Sequence, residues 1–173
     1  MSNEIRLLTP ISEKDISQLK IGDHVLISGR IYCGRDAVLP RIVKAAAAGK
    51  QAALGVTLEG GVIFHTAVSP AGVGPTSSNK EEIEASIKPL SEHGIRVHLG
   101  KGRLKAETVQ ALAENSAVYA VIPPVTALLT DKMKSKRCVC YPELGMEALY
   151  EIEVEDYPAI IAAANGESIY DGR

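Results

Sequence analysis

Aromatic side chains are scarce in this chain. Tryptophan is absent, phenylalanine occurs once, and aromatics make up 4% of 173 residues. The core must therefore be aliphatic, drawn from the Ile, Val, Leu and Ala that dominate the 46% hydrophobic share. Charge of either sign is not in excess: 19 Lys and Arg stand against 21 Asp and Glu, a net charge of −2. Tracking a nucleic-acid backbone needs a clustered basic excess, so no nucleic-acid partner is expected. No run of 18 apolar residues occurs, and the stretch from Met1 to Pro10 lacks the apolar segment of a secretion signal. A cytoplasmic protein without a membrane partner is expected. The three cysteines, Cys33, Cys138 and Cys140, are odd in number and form no disulfide framework. Also missing are a glycine-rich dinucleotide loop, a Walker lysine, a Gly-x-Ser-x-Gly elbow, a His-Glu-x-x-His pair and a Cys-x-x-Cys pair.

No Pro/Gly/Ser linker or internal repeat divides the sequence, so residues 1–173 read as one domain. The pattern predicts a strand over Ile5–Thr9 and a short helix capped by Ser12. A second strand is expected over His24–Arg30, and an Ala-rich helix over Ala37–Ala48 with Pro40 in its first turn. Ala52–Thr57 and Val62–Val68 read as strands, and Ser69–Pro75, with two Gly and two Pro, as a loop. A helix begins near Ser78, a strand covers Ile95–Leu99, and a helix covers Ala106–Glu114. Further strands are expected at Ala117–Ile122, Cys138–Tyr141, Leu149–Glu155 and Ala159–Ala164. The basic stretch Lys132, Lys134, Lys136 and Arg137 reads as a solvated turn. Cys138 and Cys140 read as strand residues with both thiols packed on one face. His65, in mid-strand, reads as a structural residue or one that supports the site from behind rather than as a ligand, and His24, His93 and His98 read as ordinary polar positions. The order is mixed α/β, with sheet layers and helices packed on them.

Three glycine-flanked polar clusters are expected where strands end, the usual place for ligands in sheet proteins. They are Gly29 to Asp36, Gly72 to Lys80, and Gly100 to Arg103. Each alone has a structural explanation as a helix start or a turn. Together they supply Arg35, Lys80 and Lys101 as cations, with the hydroxyls of Thr76 and Ser77 at a helix start. That inventory suits a small anion carrying more than one carboxylate.

Gly34-Arg35-Asp36-Ala37, then Val73-Gly74-Pro75-Thr76-Ser77-Ser78, then Leu99-Gly100-Lys101-Gly102 resemble, in this order, the β subunit of class I fumarases and L-tartrate dehydratases. The same unit forms the C-terminal part of single-chain class I fumarases. Ile63-Phe64-His65, Glu143-Leu144-Gly145-Met146-Glu147-Ala148 and Ile152 to Pro158 are similar as well, so the resemblance covers residues 5 to 170. It implies a layered "swivelling" β/β/α domain. It further implies a hydro-lyase in which a partner α subunit holds a [4Fe–4S] cluster and this chain holds none. The substrate would be a small di- or hydroxycarboxylic acid, and a homodimer of the β chain is open.

By the resemblance, Arg35 binds a carboxylate, Thr76 sits at the proton-transfer position, and Lys80, Lys101 and Ser77 contact the substrate. The chain departs from the family pattern at Leu39, where a His is usual, and at Lys80, where an Arg is usual. It departs again at Pro123-Pro124, where two glycines are common. Two other readings follow from those departures: dehydration of a different hydroxy acid, or a non-catalytic anion-binding or regulatory domain.

Overall fold

The computed structural model describes residues 4–69, 72–76, 80–122 and 133–170, with the backbone alone for 67–69, 72–76 and 80–83. Five parallel strands make one layer: β1 (Glu4–Leu8), β2 (His24–Cys33), β3 (Val62–Phe64), β6 (Val97–Gly100) and β7 (Val118–Val121). The 16-residue strand β9 (Leu149–Ala164) runs antiparallel to both β2 and β7. Strands β2, β3, β6, β7 and β9 therefore form a closed circuit. Strand β8 (Met133–Cys140) and the short β10 (Glu167–Ser168) pair with β9 outside that circuit, completing an eight-stranded sheet. A separate two-stranded hairpin is made by β4 (Thr66–Ser69) and β5 (Gly72–Thr76).

Alternation along each strand decides what fills the circuit and what faces outward. Val25, Ile27, Ile31, Phe64, Leu99, Val118, Ile152 and Ile161 point inward and form the main core. The opposite faces carry Tyr32, Ile63 and Tyr119, which meet the helices. Helices α2 (Leu39–Ala47), α3 (Lys80–Glu92) and α4 (Ala106–Glu114) supply Leu39, Ile42, Ile87, Leu90, Val109 and Leu112 to those outer clusters. Burial of each such aliphatic side chain contributes about 1.5–3 kcal/mol. The short α1 (Glu13–Ser17) is capped by Ser12, whose hydroxyl accepts from Asp15 N at 3.1 Å, and buries Ile16 against the main core. No described helix is long and apolar enough to cross a membrane.

The mixed α/β expectation holds, and helix α4 has the predicted bounds. Five local expectations need correction. Ala52–Thr57 is not a strand: Gln51–Leu54 makes a 3-10 helix that Gly55 ends at φ 80°. The expected strand Val62–Val68 breaks at His65 into β3 and β4. Of the expected loop Ser69–Pro75, Ser69 ends β4 and Gly72–Pro75 lie on the hairpin return β5, while Pro70 and Ala71 lie outside the described residues. Of the basic stretch, Lys134, Lys136 and Arg137 lie on β8, with Lys134 paired to Glu155 and Arg137 to Glu151. Lys132 lies outside the described residues. Finally, the two strands expected over Leu149–Ala164 are one, kinked by a bulge: Tyr157 faces Ile27 while Val154 faces Gly29, and Asp156 takes φ 51° with its N–H on Ser28 Oγ.

Candidate functional site

The parallel layer sets its strand ends in register. Cys33 pairs with Phe64, Phe64 with Leu99, and Leu99 with Ala120, so these residues form one row across β2, β3, β6 and β7. Two positions beyond that row stand Arg35, Thr66, Lys101 and Ile122. The backbone is tied there as well: Gly34 N donates to Phe64 O and His65 N to Leu99 O, each at 3.0 Å. Thr66 pairs in turn with Thr76 at the end of the hairpin return. Helix α3 then starts with Lys80. Carboxyl ends of parallel strands are the ligand-binding edge of such sheets.

The sequence-predicted residues are thus gathered in part. Arg35 and Lys101 lie on this edge with described side chains, Thr76 reaches it through its backbone pairing with Thr66, and Lys80 opens α3. Ser77 and Pro123-Pro124 lie outside the described residues. The first cluster needs one correction: β2 runs on to Cys33, so Gly29–Cys33 belong to the strand body and only Gly34, Arg35 and Asp36 stand beyond its end. Leu39, where the family usually has His, is the first residue of α2 and is buried in the outer core.

Arg35 is half-buried and bound by a carboxylate that the sequence did not single out. Its Nη2 lies 2.9 Å from Glu147 Oε2, and its Nε donates to Glu147 Oε1 at 3.3 Å. Glu147 closes a 3-10 segment, Pro142–Glu147, whose Gly145 adopts φ 62°, ψ −126°, a conformation that only glycine takes without strain. The segment packs on β4 and reaches the start of α2 a second time through Arg41, which pairs with Glu143 and lies over the Tyr141 ring. Gly34 is fixed by close approach. A Cβ there would meet Val38 Cγ1 at 2.9 Å, Leu39 Cδ2 at 3.1 Å and Leu149 Cδ1 at 3.2 Å.

Directly under the edge, between the parallel layer and α3, lies a buried polar chain. His65 Nε2 sits 3.1 Å from His98 Nδ1, and His98 Nε2 sits 2.9 Å from Ser91 Oγ. Both rings are fully buried and stacked, with centroids 5.3 Å apart. Burial pushes His65 down to about 3, and burial plus its neighbour holds His98 well below the usual imidazole range. Both are therefore neutral at physiological pH. His98 is thus no ordinary polar position, and the reading of His65 as structural stands, with its place moved from mid-strand to the β3–β4 break. His24 and His93 are exposed, in keeping with their reading.

The thiols do not suit an iron–sulfur cluster. Cys33 is fully buried at the end of β2 with its pKa raised by desolvation, and burial pushes Cys140 up to about 11. Metal ligation requires thiolates, which these surroundings disfavour. A bulge between Cys138 and Cys140 breaks the alternation, leaving Cys138 half-buried and Cys140 in the outer core. Among the described residues no group of three or more His, Cys, Asp or Glu could hold a metal ion. A cavity of about 490 Å³ opens beside the middle of β2, lined by Arg30, Tyr32, Thr57, Glu151 and others, and shares no residue with the strand-end edge. Its charges are of both signs, and Arg137 is already paired to Glu151, so it offers little to a dicarboxylate.

Comparison with known proteins gives a consistent answer. The chain is 30% identical to the anaerobic class I fumarate hydratase of Escherichia coli, over 91% of this chain and 30% of that protein. It is 30% identical to a provisionally named L(+)-tartrate dehydratase subunit beta of Methanocaldococcus jannaschii, over 93% and 88% respectively. It is 24% identical to the L(+)-tartrate dehydratase subunit beta of E. coli, over 91% and 81%. The chain spans about a third of the length of the class I fumarate hydratases it matches and most of the length of the tartrate dehydratase subunits. The family described as Fumarase C-terminus matches residues 1–172. With all but the last residue matched, and the motif-bearing loops on one sheet edge, the chain belongs to the Fumarase C-terminus family.

Proposed function

We propose that this chain is the substrate-gripping β component of a cytoplasmic hydro-lyase of the fumarate hydratase or tartrate dehydratase type. It binds the carboxylates of a small di- or hydroxycarboxylic acid, and a partner α subunit carries the [4Fe–4S] cluster. The observation that carries this reading is the register row, which brings Arg35, the Thr66–Thr76 hairpin base and Lys101 to the same edge.

In this reading Arg35 binds one carboxylate through its guanidinium fork, and Lys101 and Lys80 supply point charges nearby. Thr76 stands at the proton-transfer position and Ser77 adds a hydroxyl. Loss of a proton beside a carboxylate builds enediolate-like charge, which fixed cations stabilise best where water is excluded. Threonine is a weak base at its free pKa, so Thr76 needs an activating neighbour, which the partner subunit would complete.

The test is an anaerobic pull-down of the tagged chain from its native cytosol, with iron content and turnover of fumarate, tartrate and related acids measured. An iron-bearing partner is expected, with activity that collapses in Arg35→Ala and Thr76→Ala. Recovery of no cluster-bearing partner and turnover of no acid would overturn the hydro-lyase reading and leave an anion-binding module.

A further inference from the structure

A guanidinium offers two edges on which a carboxylate can sit with two parallel hydrogen bonds: the side edge, Nε with one Nη, and the end edge, Nη1 with Nη2. In Arg35 the side edge is taken. Glu147 Oε1 accepts from Nε at 3.3 Å and Glu147 Oε2 lies 2.9 Å from Nη2. The end edge, with Nη1, finds no partner among the described residues. We infer that Glu147 is the positioning residue for Arg35, holding the side edge so that the end edge faces the substrate carboxylate. The inference rests on the carboxylate-binding role proposed above for Arg35.

Three further observations bear on it. The two partners lie 112 residues apart in sequence and are both half-buried, at 29% and 27% side-chain exposure, so water competes for the pair only in part. Glu147 does not sit on a free loop. The Pro142–Glu147 segment is closed by Ala148 N donating to Gly145 O at 3.0 Å, tied to α2 through Glu143 and Arg41, and packed on β4. Strand β4 pairs with the strand that ends at Thr76. One short segment thus sets the direction of the carboxylate-binding fork and braces the base of the hairpin that carries the proton-transfer residue.

Electrostatics alone predicts the opposite effect of removing Glu147. A carboxylate close to an anion-binding guanidinium repels the anion, so a bystander Glu147 replaced by Gln should tighten substrate binding. A positioning Glu147 replaced by Gln frees the fork, and misplacement of a binding group by an ångström or so costs roughly 10- to 100-fold. The sign of the change separates the two roles.

The experiment compares wild type, Glu147→Gln, Glu147→Asp, Arg35→Ala, Arg35→Lys and the double variant Arg35→Lys/Glu147→Gln. Each is assembled anaerobically with the partner subunit and assayed for kcat and KM on fumarate. Fumarate titration of the isolated chain by NMR gives affinity without turnover, and thermal unfolding checks the fold. The expected result is a 10- to 100-fold fall in kcat/KM and weaker fumarate binding in Glu147→Gln, with partial recovery in Glu147→Asp. In the Arg35→Lys background, which has no fork to hold, Glu147→Gln should add less than twofold. Unchanged or tighter binding in Glu147→Gln, or full additivity in the double variant at unchanged unfolding temperature, would overturn the inference while leaving Arg35 as the carboxylate ligand. If Arg35→Ala itself changes neither fumarate affinity nor turnover, the proposed function fails at its root, and the inference with it.

Discussion

The buried His65–His98 pair makes the stability of this chain fall as the solution turns mildly acidic. In the unfolded chain each imidazole titrates near 6.5. In the folded chain burial lowers His65 to about 3 and holds His98 well below its usual value. Between those limits the unfolded state binds more protons than the native state, so stability rises with pH through the window and is lost as pH falls from 6.5 toward 3. An imidazole that charges at about 6.5 when unfolded and stays neutral when folded costs about 2 kcal/mol at pH 5, and almost nothing at pH 7.5. His98 is held down in the same sense and adds to the loss, and about 2 kcal/mol is already a sizeable share of the 5–15 kcal/mol typical of a domain.

The only polar partner of the pair among the described residues is Ser91, which has no charge to offset an imidazolium. His24 and His93 are exposed and lie outside the pair. Urea unfolding at several pH values from 7.5 to 5.0 should show the midpoint falling steadily below pH 6.5, and a His65→Leu/His98→Met variant should flatten that dependence. Wild-type imidazole NMR gives a second reading, with two resonances that do not titrate down to pH 5. A flat stability profile over the window, or four histidine resonances all titrating near 6.5, would refute the reasoning.

Two other outcomes follow from the packing. Gly34→Ala forces a methyl within 2.9 Å of Val38 and 3.1 Å of Leu39. Overpacking of this kind costs about 1–3 kcal/mol, and because Arg35 is the next residue, the variant should also raise KM; a kinetic and urea-unfolding profile identical to wild type would count against it. A thiol reagent at neutral pH should modify the half-buried Cys138 readily and reach Cys33 and Cys140 only after denaturation, since burial raises both of those thiols. Equal reaction of all three in the native chain would contradict the described packing.

Where local chemistry decided the outcome, the sequence was legible. Ser12 caps its helix through a bond three residues long, and Ala106–Glu114 combines helix formers with an apolar face that α4 buries. The misread segments were decided by distant partners. The two glycines and the proline of 72–76 favour a loop until pairing with Thr66–Ser69 makes them a strand. Lys134, Lys136 and Arg137 look like a solvated turn until β9 offers Glu155 and Glu151 across the ladder. Asp156 and Pro158 look like a strand break, yet a bulge with Asp156 at φ 51° carries β9 through them. At the site, Arg35 and Lys101 were visible because glycines flank them. Glu147 does not stand out from the motif around it, because nothing in the spacing shows that a carboxylate 112 residues away holds Arg35. His98 is not legible as a buried site because nothing in Ile95–Leu99 shows that a second histidine stands just past the end of the neighbouring strand β3.

The closed circuit of strands has a consequence for how the protein is made. Strand β2 leaves the ribosome well before β9, yet its whole length from His24 to Cys33 pairs with residues 150 to 160 of β9. Until those residues emerge, one edge of β2 has no ladder to complete, and the aliphatic interior lined by Ile31 and Phe64 lacks the Ile152 and Ile161 that seal it. The nascent chain thus cannot assemble its core piece by piece. It must wait, with an unpaired apolar edge exposed, until β9 has been synthesised, and then fold in a late step dominated by distant contacts.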